Sequence, residues 1–126
     1  MSISVLVLML MGALIATAGL VVDGGQKVTA ATRAETAAVG ASRAAGNAAA
    51  TQQLGGRSSV GAATRAAKAY LAGQPGVSGS VSVSGGVVSI QTTATESTIF
   101  LSAIGIGQVT GQGNAEANIV PTGATR

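Results

Sequence analysis

The chain has 126 residues, is 47% hydrophobic but only 9% charged, and carries a net charge of +3. With no Cys, no His, no Trp, one Phe and one Tyr, it excludes a disulfide framework, thiolate metal ligation, histidine-based catalysis and an aromatic-rich core. Ala and Val supply most of the apolar content, so stability must come from close contacts between small side chains in a domain of modest size.

Residues 3–22 carry no charge and no Pro. At about 1.5 Å per residue they cover roughly 30 Å, the thickness of a bilayer's hydrocarbon core. Ser4 and Thr17 can bond their own helix carbonyls and are tolerated there. The run is therefore read as a single membrane-spanning helix. A core helix of a soluble protein is shorter or more amphipathic than this. The competing reading is a signal peptide, cleaved after Ala18 in the sequence Ala16-Thr17-Ala18, which would release a small secreted binding domain. Against it, no basic region precedes the run, and the apolar stretch continues through Leu20, Val21 and Val22. The nearest charges are Asp23 and Lys27, beyond the run. Counted alone, they would place the following part in the cytoplasm. A short basic leader upstream of residue 1 would reverse that count, so charge alone leaves the topology open.

Residues 23–56 read as an Ala-rich helical stalk and its closing loop. Val28, Thr32, Glu35, Val39 and Ser42 give a weak apolar stripe. Asp23-Gly24-Gly25 is either a soft point in one long helix or a break between two. Gly55-Gly56 is the expected stop. Ser58 or Ser59 can cap a second helix over 60–72, with Val60, Thr64, Ala67 and Leu71 on one face and Ala63 and Tyr70 beside it. That amphipathic helix is expected to pack on a sheet, and Gln74-Pro75-Gly76 ends it.

The period then becomes two. Residues 77–84 alternate Val with Ser or Gly, Gly85-Gly86 suits a two-residue hairpin turn, and 87–94 return with Val88, Ile90, Thr92 and Ala94 on the inner face. Residues 98–106 are the most hydrophobic stretch outside the N-terminal run and too short to span a bilayer. With Ser97 as cap, they are expected to form a short helix. It either covers the open face of the sheet or presents an apolar patch to a neighbouring subunit or the membrane surface. Ile99, Phe100, Leu101 and Ile104 are the candidate contact residues. Residues 109–120 alternate again and give a third strand, weak in its Gly portion. Pro121 stops it, and 122–126 form a loose tail. The expected fold is α+β: residues 1–22 in the membrane, a stalk to 56, and a small head over 57–121. The head holds the amphipathic helix, a three-stranded antiparallel sheet and the short apolar helix.

Little here supports chemistry. Asp23, Glu35, Glu96 and Glu116 are far apart in sequence and without local partners, and the many Ser and Thr lack an evident general base. Lys27 and Lys68 read as solvated. The Gly-rich stretch 105–113 matches neither the dinucleotide fingerprint nor the P-loop and leads into a strand. The basic residues are thinly spread without interleaved aromatics, which argues against nucleic acid. The expectation is a protein that is not an enzyme and uses no cofactor, metal or small-molecule substrate.

An apolar helix that opens Ser2-Ile3-Ser4-Val5, leaves its apolar run as Ala18-Gly19-Leu20-Val21-Val22-Asp23-Gly24-Gly25-Gln26-Lys27, and leads to Ala66-Ala67-Lys68-Ala69-Tyr70-Leu71-Ala72, a hairpin, a short apolar helix and an alternating strand resembles a known family. It is similar to the TadE/TadG-like proteins of the tight-adherence, Flp-type pilus systems of high-GC bacteria. Nearly the whole chain is covered, and the Leu-Val-Val-Asp-Gly-Gly junction is the most specific part. The resemblance implies a pilin-like fold and a minor pilin, pseudopilin or assembly component. Such a protein is held in the cell membrane with its head outside, its partners being the lipid bilayer, other pilus or secretion subunits, or copies of itself. It marks Asp23, Gly24 and Gly25 as a motif at the membrane exit. Two departures stand out. The sequence as written shows no basic leader for a prepilin peptidase ahead of the apolar run, and Val5 stands where major pilins carry an acid that pairs with a neighbour's terminus.

Overall fold

The computed structural model describes residues 2–54 and 59–119, without the side chains of residues 53 and 54. The expected stop at Gly55-Gly56, the alternative cap Ser58, Val120, Pro121 and the tail lie outside the described residues. The elements run α1 (Ile3–Leu54), α2 (Ser59–Ala72), β1 (Val77–Ser84), β2 (Val87–Ser97), a 3₁₀ turn (Leu101–Ile104) and β3 (Gln108–Asn118). The fold is α+β, with a three-stranded antiparallel sheet in the order β1-β2-β3.

Helix α1 is unbroken over 52 residues, roughly 78 Å at about 1.5 Å per residue. Asp23-Gly24-Gly25 is helical throughout, which settles the choice between a soft point and a break. The long helical segments on either side carry the helix through two glycines that cost about 1 kcal/mol each. Only 6% of the helix's most apolar 18-residue window is buried, so this segment is not a core helix of the head. It is long and apolar enough to serve as a membrane anchor or a signal sequence.

Farther along, α1 becomes the floor of the head. Its buried face is Ala30, Ala34, Ala37, Ala38, Ala41, Ala45 and Ala49. This corrects the stripe expected from hydropathy, because Val28 is 66% exposed and only Ser42 of that stripe is buried. Size decided the face. At Gly111 an added Cβ would lie 2.1 Å from the Ala31 nitrogen, and at Gly113 2.5 Å from the Ala34 carbonyl carbon. Strand β3 thus crosses α1 backbone on backbone, and only Ala fits beneath it. The Gly-rich portion that weakens β3 as an isolated strand is what lets it dock.

Helix α2 lies against both α1 and β1, with Ala63, Ala67 and Leu71 buried. Val60, placed on that face by spacing, is instead 46% exposed. The Gly85-Gly86 hairpin has φ of +59° and +78° between the paired residues Ser84 and Val87, as a turn with two left-handed positions requires. Val88, Ile90, Thr92 and Ala94 are all buried, which is the expected inner face. Val88 and Ile90 are the largest fully buried side chains. The sheet therefore tapers. At one end the rows Val83-Val88-Ala117 and Val81-Ile90-Ala115 fill the space under α1 and α2. At the other, the pairs Thr92-Gly113 and Ala94-Gly111 let α1 touch the sheet.

Two boundaries differ from expectation in a way that matters for function. β2 runs on to Ser97, paired with Gln108 of β3, whereas β1 begins only opposite Ala94. The last three residues of β2 and the first three of β3 therefore overhang the sheet by about 10 Å. The 98–107 connection sits at the tip of this overhang. It is not a helix lying over the sheet, since no residue of the 3₁₀ turn is buried.

Candidate functional site

The overhang delivers the 98–107 loop to α1 where the apolar run ends. Asp23 lies one residue beyond that run and is 3% exposed. Its Oδ1 accepts hydrogen bonds from the backbone N–H groups of Ile99 at 2.9 Å and Phe100 at 3.4 Å, and its Oδ2 from Leu101 at 2.6 Å. A carboxylate thus satisfies the N–H groups that open a helical turn, with the added strength of an ionised acceptor. The N–H of Ile99, then those of Leu101 and Phe100, hold the Asp23 carboxyl below the ordinary carboxylate range, against the opposing effect of desolvation. Ser97, the expected cap, is instead a paired strand residue, and the cap is Asp23, 76 residues before Ile99.

The loop is closed around this carboxylate. Phe100 packs directly on Gly19, where an added Cβ would lie 2.8 Å from the ring. Thr98 N–H donates to Gly107 O, Ala103 to Phe100 O, Gly105 to Ser102 O and Ile106 to Leu101 O. The Thr98 hydroxyl donates to Ile106 O and the Ser102 hydroxyl to Ile99 O. Gly105, at φ +94°, ends the turn in the left-handed region. Outside this polar frame stand apolar side chains: Ile99 (57% exposed), Phe100 (43%), Ile104 (73%) and Ile106 (47%). Leu101 is half-buried.

Polar contacts then lace the head to α1 above the loop. Lys27, expected to be solvated, donates to the Thr110 carbonyl. Arg33 pairs with Glu96 and also donates to the Pro75 carbonyl, tying α1 to the β2 overhang and to the turn before β1. Glu35 Oε2 accepts from Asn114 N–H at 3.4 Å. The acids that lack local partners in sequence find them across the fold. A shallow polar groove on the sheet is lined by Glu35, Gln91, Thr93, Gln112 and Asn114. Among the described residues, no three His, Cys, Asp or Glu lie close enough to share a metal ion.

The structure therefore brings together two sets of residues that spacing alone kept apart: Asp23 of the junction, and Ile99, Phe100, Leu101 and Ile104. Gly24 and Gly25 are helical and exposed, with nothing within 4 Å of an added Cβ; no contact explains why both are glycine. Arg33 belongs to the site without a local sequence signal, whereas Gly19 and Lys27 lie in the junction and Ile106 in the apolar stretch, with nothing local to show that they meet. The nearest hint is the acid itself, placed one residue past an uncharged run. No family model, curated protein or solved structure matches the chain.

Proposed function

We propose that this chain is a single-pass, non-catalytic membrane protein that serves as a minor pilin or assembly component of a tight-adherence, Flp-type pilus or secretion system, with its head outside the membrane. The observation that carries this reading is the two-part helix. Its first 20 residues project large aliphatic side chains outward, and the same helix then becomes the small-residue floor of a compact α+β head. That is the plan of a subunit stored in a bilayer and drawn into an assembly by its helix. The Leu20-Val21-Val22-Asp23-Gly24-Gly25 junction supports the same family, because its acid is the residue that ties head to helix. The mechanism is packing. Gly12, Ala13 and Ala16 permit close approach by a neighbouring helix, and an added Cβ at Gly12 would meet nothing within 4 Å. Gly19, on the same side, is already covered by Phe100.

In-frame deletion in the native host tests this. Loss of surface pili or of the secreted cargo, restored by the intact gene, is the expected outcome. Unchanged piliation and secretion would overturn the assignment. The mass of the mature protein separates the anchored reading from the secreted one: a chain beginning at Gly19 and found outside the cell would establish release after Ala18.

A further inference from the structure

We infer that the 98–107 loop is a second membrane contact, seated among the lipids at the bilayer boundary beside α1. This rests on the anchor reading of residues 3–22. Phe100 lies on Gly19, three residues before the apolar run ends. At about 1.5 Å per residue, the ring sits roughly 4–5 Å inside that end of the run. Whatever surrounds Leu20 and Val21, which are 67% and 70% exposed, also surrounds the loop. If lipid bathes the one, it bathes the other.

The loop's chemistry suits that occupant better than water or a wet protein interface. Non-helical backbone is tolerated at membrane depth only where its polar groups are satisfied within the protein. Here the N–H groups of Thr98, Ile99, Phe100, Leu101, Ala103, Gly105 and Ile106 all have protein acceptors. Both hydroxyls, of Thr98 and Ser102, turn back onto loop carbonyls. No charged residue occurs between Glu96 and Glu116. The outward side chains are Ile99, Ile104, Ile106 and an edge of Phe100. Asp23 is the one charge at this level, and the loop's own backbone covers it. Lys27 and Arg33 hold the overhang just above, where headgroups lie. Two attachment points, the helix and the loop, would fix the head's tilt and rotation on the membrane, which a single helix cannot do.

The chain's lack of cysteine allows a clean test with the full protein. Ile104→Cys, Ile99→Cys, Leu10→Cys and Ser82→Cys are each spin-labelled in phosphatidylethanolamine/phosphatidylglycerol vesicles. Collision with oxygen and with a water-soluble nickel chelate is then compared. Labels at 104 and 99 should match Leu10, with nickel collisions several-fold below those at Ser82 on exposed β1. If they match Ser82 while Leu10 stays in lipid, the inference fails and the anchor reading stands. If labels at 104 and 99 are shielded from oxygen and nickel alike, a neighbouring protein covers the loop, and the lipid assignment is wrong. An aqueous Leu10 label overturns both.

Discussion

The two halves of α1 are one helix built on two opposite patterns of side-chain size. Over residues 3–22 the large side chains point outward in every direction, with Leu8 72% and Leu14 67% exposed. Over residues 30–49 the buried positions are all small, and the exposed ones are Thr, Arg, Glu and Asn. Neither half follows the soluble pattern of large apolar residues inside and polar ones outside. In the first half bulk faces outward, as the proposed membrane anchor requires. In the second, bulk is excluded because another backbone must come within contact distance. Hydrophobicity reports the first environment and side-chain volume the second.

That contrast predicts where substitutions hurt most. Gly111→Val should be the most damaging, since even its Cβ would fall 2.1 Å from the Ala31 nitrogen. A clash with backbone cannot relax as a side chain does, so the loss should reach or exceed the roughly 3 kcal/mol upper range of ordinary overpacking. Chemical denaturation of the detergent-solubilised protein would show it as a collapsed head transition. Ile90→Ala, which empties the widest part of the taper, should cost about 2–5 kcal/mol by the same assay.

Asp23→Asn should leave the head folded but loosen the loop, seen as lost hydrogen-exchange protection at the Ile99 and Leu101 amides with Ile90 unaffected. The wild-type loop should respond to acid in the same way. Its three N–H donors favour the ionised carboxylate, so the folded pKa lies below that of the unfolded chain. The contribution is then complete above about pH 4 and lost as pH falls through the lower folded value. Gly46→Ala marks the other extreme. Nothing lies within 4 Å of the added Cβ, so the helix should gain about 0.5–1 kcal/mol. A destabilising Gly46→Ala would mean that the face at residue 46 is packed against something.

Local pattern made much of the fold legible. Val-Ser alternation, the Gly85-Gly86 pair, the inner face of β2 and the span of α2 all follow from residues within a few positions of one another. What local pattern missed is long-range. The buried face of α1 is set by glycines some 80 residues later, so Val28 and Val39 drew the stripe to the wrong side. The cap of the 3₁₀ turn comes from Asp23, whereas Ser97, nearer in sequence, is held in the β2–β3 ladder. The overhang that carries the loop away from the sheet depends on β1 starting three residues short of β2's end. At the site, the family resemblance marks Asp23, and hydrophobicity marks Ile99, Phe100, Leu101 and Ile104. Their meeting, and the part played by Gly19, required the fold.

In the proposed anchor, one continuous helix passes from lipid into the floor of the head. Single-cysteine variants along α1 in sealed vesicles, labelled with a membrane-impermeant maleimide, test it most directly. A continuous helix passing from lipid into the head gives no labelling at any position from 5 to 20. Beyond Lys27 it gives a helical rhythm, with Thr29, Thr32, Thr36, Arg43 and Asn47 labelled and Ala30, Ala34, Ala38, Ala41 and Ala45 protected. Periodic labelling below residue 22, or uniform labelling above 27, would contradict it.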